Sequence, residues 1–262
     1  MKSGIDRRID RHERMYHELR ENGSLPDTNL NKARQYFQAL QRACTLRNQK
    51  RGKLDTLSLV RAANGSQHVF KQDRTVRVLR NTAVQLLVDI SGSMSGQKAV
   101  YAGHTALQII RLCELFNLDT EVIGFTSGSR KLVHCVYKKF GKRLKRPENF
   151  LEGFWKSLKY MCQNNDGDSI LWGRRRLLKT GKDKRKIMFV LSDGMPSGPR
   201  GNIGKFTKDT VDMIEKEKYM EIYGIGILDD YVKEIYKDFT VVQDIHTLET
   251  QLLDFFKRVM YK

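Results

Sequence analysis

The chain has 262 residues, with 48 Lys and Arg against 30 Asp and Glu, a net charge of +18, and 40% hydrophobic residues. That apolar content supports a buried core and excludes wholesale disorder. No run approaches the ~18 apolar residues of a membrane span. The N-terminal stretch lacks the apolar centre of a signal peptide, and the scattered Cys44, Cys113, Cys135 and Cys162 form no CxxC pair. That usage excludes a zinc-ribbon or disulfide framework and fits a reducing cytoplasm.

Residues 1–50 read as a basic helical arm. Helices are predicted over Asp6–Asn22 and Asn29–Leu46, joined by a Gly-Ser-Leu-Pro turn. Leu30, Ala33, Phe37, Leu40 and Cys44 give the second an apolar face. Residues 51–82 are a connecting segment that carries Arg51-Gly52-Lys53-Leu54-Asp55. From residue 83 to 262 the pattern alternates. Strands are predicted at 83–88, 120–125, 132–137, 186–191, 222–227 and 240–242. Helices are predicted at 97–116, 151–161, 169–178, 206–218, 231–237 and 248–259, with a basic, irregular insertion around 126–165. Strands apolar on both faces, alternating with helices, imply an α/β fold: a mostly parallel central sheet covered on both sides. In such sheets, sites form at the carboxyl ends of the strands. His104 and His246 are read as helix-surface or interface residues, since none of the six histidines clusters.

The first strand runs into Asp89-Ile90-Ser91-Gly92-Ser93-Met94. One carboxylate and two hydroxyls at alternate positions of an extended loop make half of an octahedral oxygen shell, the preference of Mg²⁺, with Mn²⁺ close behind. The strand at 186–191 ends in Ser192-Asp193-Gly194, which brings a second carboxylate to the same edge. Asp89, Ser91, Ser93 and Asp193 are therefore candidate metal ligands. The competing readings are helix capping for the serines and a plain turn for Asp193-Gly194.

The order of these motifs resembles a von Willebrand factor A (VWA) domain with its metal-ion-dependent adhesion site. In particular it resembles the carboxyl-terminal region of the cobaltochelatase CobT subunit family. The resemblance is carried by Arg51–Asp55, Val69-Phe70, Asp89–Met94, Gly124-Phe125-Thr126, Asn165–Trp172, Leu191–Pro196 and Gly224–Ile227. It implies a Rossmann-like VWA fold. It places Asp168, within Asp-Gly-Asp-Ser, at the second-loop position where most VWA domains carry a threonine, with Asp166 as a second candidate and a helix N-cap as the alternative. It also implies a non-enzymatic adaptor that works beside a MoxR-type AAA+ ATPase and takes a carboxylate from an acidic client protein.

The chain has no P-loop of its own. A phosphotransferase using Asp89 as nucleophile lacks a second acid at Ser91 and a general acid, and Gly92–Gly96 is not a G-x-S-x-G elbow. Arg130, Lys131, Lys138, Lys139, Lys142, Arg143, Lys145 and Arg146 form a basic run without an acid. They are read as a patch for the acidic partner, or for nucleic acid in the alternative.

Overall fold

The computed structural model describes residues 4–25, 31, 33–35, 45–73, 81–128, 131–144, 146, 148–193, 196, 202–217 and 219–260. Most of the expected helix at 29–46 lies outside these residues. Its last two positions begin a strand instead, β1 (Thr45–Gln49). This strand pairs with β3 (Phe70–Asp73), which also pairs with β2 (Lys53–Leu54), giving a three-stranded antiparallel sheet over the connecting segment. A short helix α2 (Leu59–Ala63) follows a turn capped by Asp55, whose side chain accepts from the Leu57 N–H.

The main sheet has six strands in the order β6-β5-β4-β7-β8-β9. They are β4 (Thr82–Asp89), β5 (Asp119–Ser127), β6 (Leu132–Lys138), β7 (Arg185–Ser192), β8 (Glu221–Ile227) and β9 (Phe239–Val242). All pairings are parallel except β5 with β6. The four residues between β5 and β6 suffice for a hairpin but not for a crossover. This is why the basic insertion begins as an antiparallel edge strand.

Alternation within each strand divides the core in two. Val84, Leu86 and Val88 of β4 face one cluster with Ile187, Phe189 and Leu191 of β7 and Ile225 of β8. Ala83 and Leu87 face the other, with Met188 and Val190. The first cluster is covered by α3 (Gln97–Leu115), α4 (Asn149–Ser157) and α8 (Leu248–Met260). The second is covered by α5 (Asp166–Leu177), α6 (Ile203–Lys216) and the single turn α7 (Val232–Ile235). Burial on both faces is what a period-2 strand with no polar side requires. Gly124 of β5 is needed for close approach: a Cβ there would overlap the Tyr137 hydroxyl and ring. That hydroxyl is fixed by the Ser157 Oγ at 2.6 Å.

The N-terminal helix α1 (Gly4–Glu21) packs on the first cluster. Tyr16 is 1% exposed, with its ring 5.6 Å from Trp155 and 6.2 Å from His104. Of the two readings of His104, helix surface or interface, burial excludes the first: the ring is fully buried beneath α1 and within 3.3 Å of Gln108. Among the described residues no helix is long and apolar enough to cross a membrane, and Cys113, Cys135 and Cys162 are free thiols.

Candidate metal centre

The centre is assembled from three loops at the carboxyl edge of the sheet. Register sets it: β4 and β7 run parallel with Val88 opposite Leu191, so the next residues, Asp89 and Ser192, are neighbours. Ser192 Oγ donates to Asp89 Oδ2 at 3.0 Å. The other Asp89 oxygen accepts from the Ser91 N–H at 2.7 Å. In the loop after β4, the Ile90 N–H reaches the Phe125 carbonyl at 2.9 Å and the Gly92 N–H reaches the Cys162 carbonyl at 2.6 Å. These bonds tie the first loop to β5 and to the second loop. A single 3₁₀ turn, Gly92–Met94, is anchored by buried Met94 and leaves Ser93 exposed, with its Oγ 3.0 Å from the Ser91 Oγ.

The second loop supplies Asn164, fully buried, whose amide donates to Asp89 Oδ2 at 2.7 Å. It then enters α5 at Asp166, which is 1% exposed. The third loop supplies Asp193, 2% exposed, and Lys98 of α3 holds its Oδ2 at 3.1 Å.

Three buried carboxylates at one edge perturb one another. Burial, followed by the charge of Asp193, pushes Asp89 up to about 7, against the hydrogen bonds from Ser91 and Ser192. Asp166 is raised well above the ordinary carboxylate range, first by burial and then by Asp89 and Asp193. A site that forces carboxylates toward protonation gains most from a cation. The oxygens left over point the same way. Asn164 Oδ1, Asn165 Oδ1, Asp166 Oδ1 and Asp193 Oδ1 are buried and have no hydrogen-bond partner among the described residues. Buried acceptors are normally satisfied; an acceptor-rich pocket short of donors suits a hard divalent ion. Among the described residues no three His, Cys, Asp or Glu side chains gather tightly enough to hold a metal by themselves. The hydroxyls of Ser91 and Ser93 have to complete any shell.

The structure thus brings Asp89, Ser91, Ser93 and Asp193 to one edge. Asp168 is held within its own loop. Asp168 is half-buried in the first turn of α5 and accepts from the Asn165 amide at 2.7 Å. Asp166 is the second-loop acid that shares the field of Asp89 and Asp193. Sequence reasoning missed Asn164, Ser192 and Lys98. Ser192 lies within the motif Leu191–Pro196 and Asn164 just ahead of Asn165–Trp172, so both were legible as polar residues at loop entries. A lysine at the start of a helix carried no signal.

The basic run is not one patch. Lys138 is buried, donates to the Thr120 carbonyl at 2.7 Å and pairs with Glu114 at 3.4 Å, so it is removed from the surface set. Lys131, Lys139, Lys142, Arg143 and Arg146 are exposed, and Arg143 donates to Asn117. Arg130 and Lys145 lie outside the described residues, as do Gly194 and Met195 of the third loop. Leu132 pairs with Ser127 at the edge that carries Asp89, and Lys138 with Val122 near the opposite edge. Six residues of strand, ~20 Å, therefore separate Lys131 from the basic residues beyond β6.

Residues 69–134 and 129–262 match the family described as the cobalamin biosynthesis protein CobT VWA domain. Among solved structures, the pilus adhesin SpaC from Lactobacillus rhamnosus GG superposes on 69% of this chain with a TM-score of 0.52 at 14% identity. Proximal thread matrix protein 1 from the mussel byssus superposes on 69% with a TM-score of 0.51 at 15% identity. The chain spans 31% of the adhesin's length and 48% of the matrix protein's. At such identity the likeness is of fold alone.

Proposed function

The chain belongs to the CobT VWA-domain family, and on that premise we propose that it is a non-enzymatic, metal-dependent adaptor that grips a carboxylate of a partner protein. The observation that carries this reading is the set of buried oxygens of Asn164, Asn165, Asp166 and Asp193 that have no hydrogen-bond partner among the described residues, near the Ser91 and Ser93 hydroxyls. Asp89, Ser91, Ser93 and Asp193 would hold Mg²⁺ or Mn²⁺, with Asp166 close by. Once bound, the ion supplies an electrophilic position for an acidic side chain of the partner.

The chain's own residues do the rest. Asn164 and Ser192 fix both the position and the rotation of the Asp89 carboxylate. The exposed Gly92, Ser93 and Ser95 leave the hydroxyl side open to a partner. Asp166 adds negative charge that moderates the pull on an incoming acid. Among the described residues, the hydrogen bonds to Asp89 come from an amide, a hydroxyl and a backbone N–H, which orient the carboxylate. A cobaltochelatase-like assembly is compatible with the family; in it a MoxR-type AAA+ ATPase would provide the motor and this chain the grip on an acidic client.

Titration calorimetry with Mg²⁺ tests the centre. One site is expected for the wild type and none for Asp89→Ala, with the circular dichroism of the two unchanged; equal binding by both defeats the reading. Capture of an AAA+ protein from the native source, lost on EDTA treatment, tests the assembly. A second reading rests on the exposed Lys139, Lys142, Arg143 and Arg146, which form a separate basic edge suited to a polyanion. Duplex DNA bound there would ignore EDTA and weaken with a log–log salt slope of about −0.9 per phosphate.

A further inference from the structure

A cleft of about 520 Å³ opens between α1 and the loop that carries Ser91 and Ser93. Arg11, His12 and Met15 line it from the helix, Ser95 and Gly96 from the loop, and Met161 from the start of the second loop. The helix wall is fixed. His12 is 3% exposed and its Nε2 accepts from the Gly96 N–H at 3.0 Å, across 84 positions of sequence. Tyr16, one turn on, is buried against Trp155. The two methionines give the cleft an apolar, adaptable floor.

Arg11 is different. It is exposed, and among the described residues it makes no ion pair. Arg7 and Arg14 are also exposed and lie at i−4 and i+3 from it, on the same stripe of α1. Arg11 therefore lines one wall of a cleft whose other wall is the candidate metal loop, with Arg7 and Arg14 above and below it on the helix. Cations gathered beside a carboxylate-seeking centre complement a run of acids better than a single one.

From this geometry we infer that the cleft seats an acidic segment of the partner in which the metal-bound carboxylate is accompanied by further acids paired to Arg11 and its neighbours. This rests on the metal-dependent reading above. It makes Arg11 a specificity-determining residue, and the N-terminal helix half of the partner site. Arginine suits the role because its planar fork accepts a carboxylate bidentately.

The test uses the full chain and a fluorescein-labelled octaglutamate peptide, with octaglutamine as control, read by fluorescence anisotropy in Mg²⁺ at physiological salt. Octaglutamate should bind and octaglutamine should not. Arg11→Glu should weaken octaglutamate about tenfold and flatten the salt dependence, and Arg11→Lys should recover part of the loss. Mg²⁺ affinity by calorimetry should be the same in all three proteins, which shows that the centre is intact. If Arg11→Glu binds octaglutamate as the wild type does while Asp89→Ala does not, the cleft inference is overturned and the metal centre stands. If the wild type binds no Mg²⁺, the metal reading itself falls and takes this inference with it. Octaglutamate binding that ignores both EDTA and Arg11, or no octaglutamate binding at all, also overturns it.

Discussion

Lys98 offers the sharpest quantitative check on the centre. Its ammonium sits 3.1 Å from Asp193 Oδ2 and its side chain is 28% exposed. It pairs with Asp193, one of the three buried acids, and among the described residues no other positive charge is paired with them. A cation that takes Asp193 as a ligand has to compete with it. The attraction across that gap is about 1 kcal/mol at the dielectric of water and about 5 kcal/mol at an effective dielectric of 20. With a lysine open to solvent on one side, ~1.5 kcal/mol is the working figure. Lys98→Met should therefore bind Mg²⁺ about tenfold more tightly. The same substitution removes a counter-ion from the metal-free protein. Its melting temperature in EDTA should fall, and the rise on adding Mg²⁺ should exceed that of the wild type. Calorimetry and paired thermal melts measure both effects. A folded Lys98→Met protein whose Mg²⁺ affinity is unchanged or weaker refutes the idea that lysine and metal share one anionic site.

Acidity acts on the same centre with a definite sign. Asp89 is held protonated up to about 7 in the fold but ionises near 3.8 when unfolded, so the folded state binds more protons between those values. Stability in EDTA should then decline as pH rises from about 4 to about 7, by an amount on the order of a few kcal/mol, and Mg²⁺ should cancel the decline; melts across pH with and without EDTA read the difference. Gly124→Ala drives a methyl into Tyr137, whose ring is braced by Phe150 and whose hydroxyl is bound to Ser157. Urea unfolding should show a loss of about 1–3 kcal/mol, partly recovered by adding Tyr137→Phe. Lys138→Met leaves the Thr120 carbonyl without its side-chain donor and Glu114 without its ion-pair partner and should cost about 1–3 kcal/mol, whereas Lys139→Met, on the exposed side, should stay within about 0.5 kcal/mol.

The strands were legible because both faces of each are apolar and the helices between them keep their own period. β4, β7 and β8 lie within two residues of where their patterns put them. Asp89, Ser91, Ser93 and Asp193 were legible for a related reason: the end of a parallel strand fixes the edge at which the next few residues emerge. The second loop was not. Asp166 and Asp168 stand two positions apart on the first turn of α5, which rotates them by ~200° about the helix axis. Only the docking of α5 decides which faces inward, and that depends on distant contacts such as Gly173 against Gln85 and Leu87. Lys138 failed for the opposite reason. In Lys138-Lys139 the two look alike, but one lies under the Thr120 carbonyl and the other in solvent. The tie between His12 and Gly96 leaves no local trace at all.

The stretch that matches the family begins at residue 69, yet Tyr16 and Leu25 belong to the same cluster of packed side chains as Val84 and Phe189. A homologue trimmed to the shared stretch would present the Trp155 ring and the His104 imidazole to water, on a face this chain keeps dry. The helix α1, outside the matched stretch, is thus part of this chain's own core. Hydrogen exchange at His104 and Trp155 should respond to changes in residues 4–21 as strongly as to changes in the neighbouring turns of their own helices.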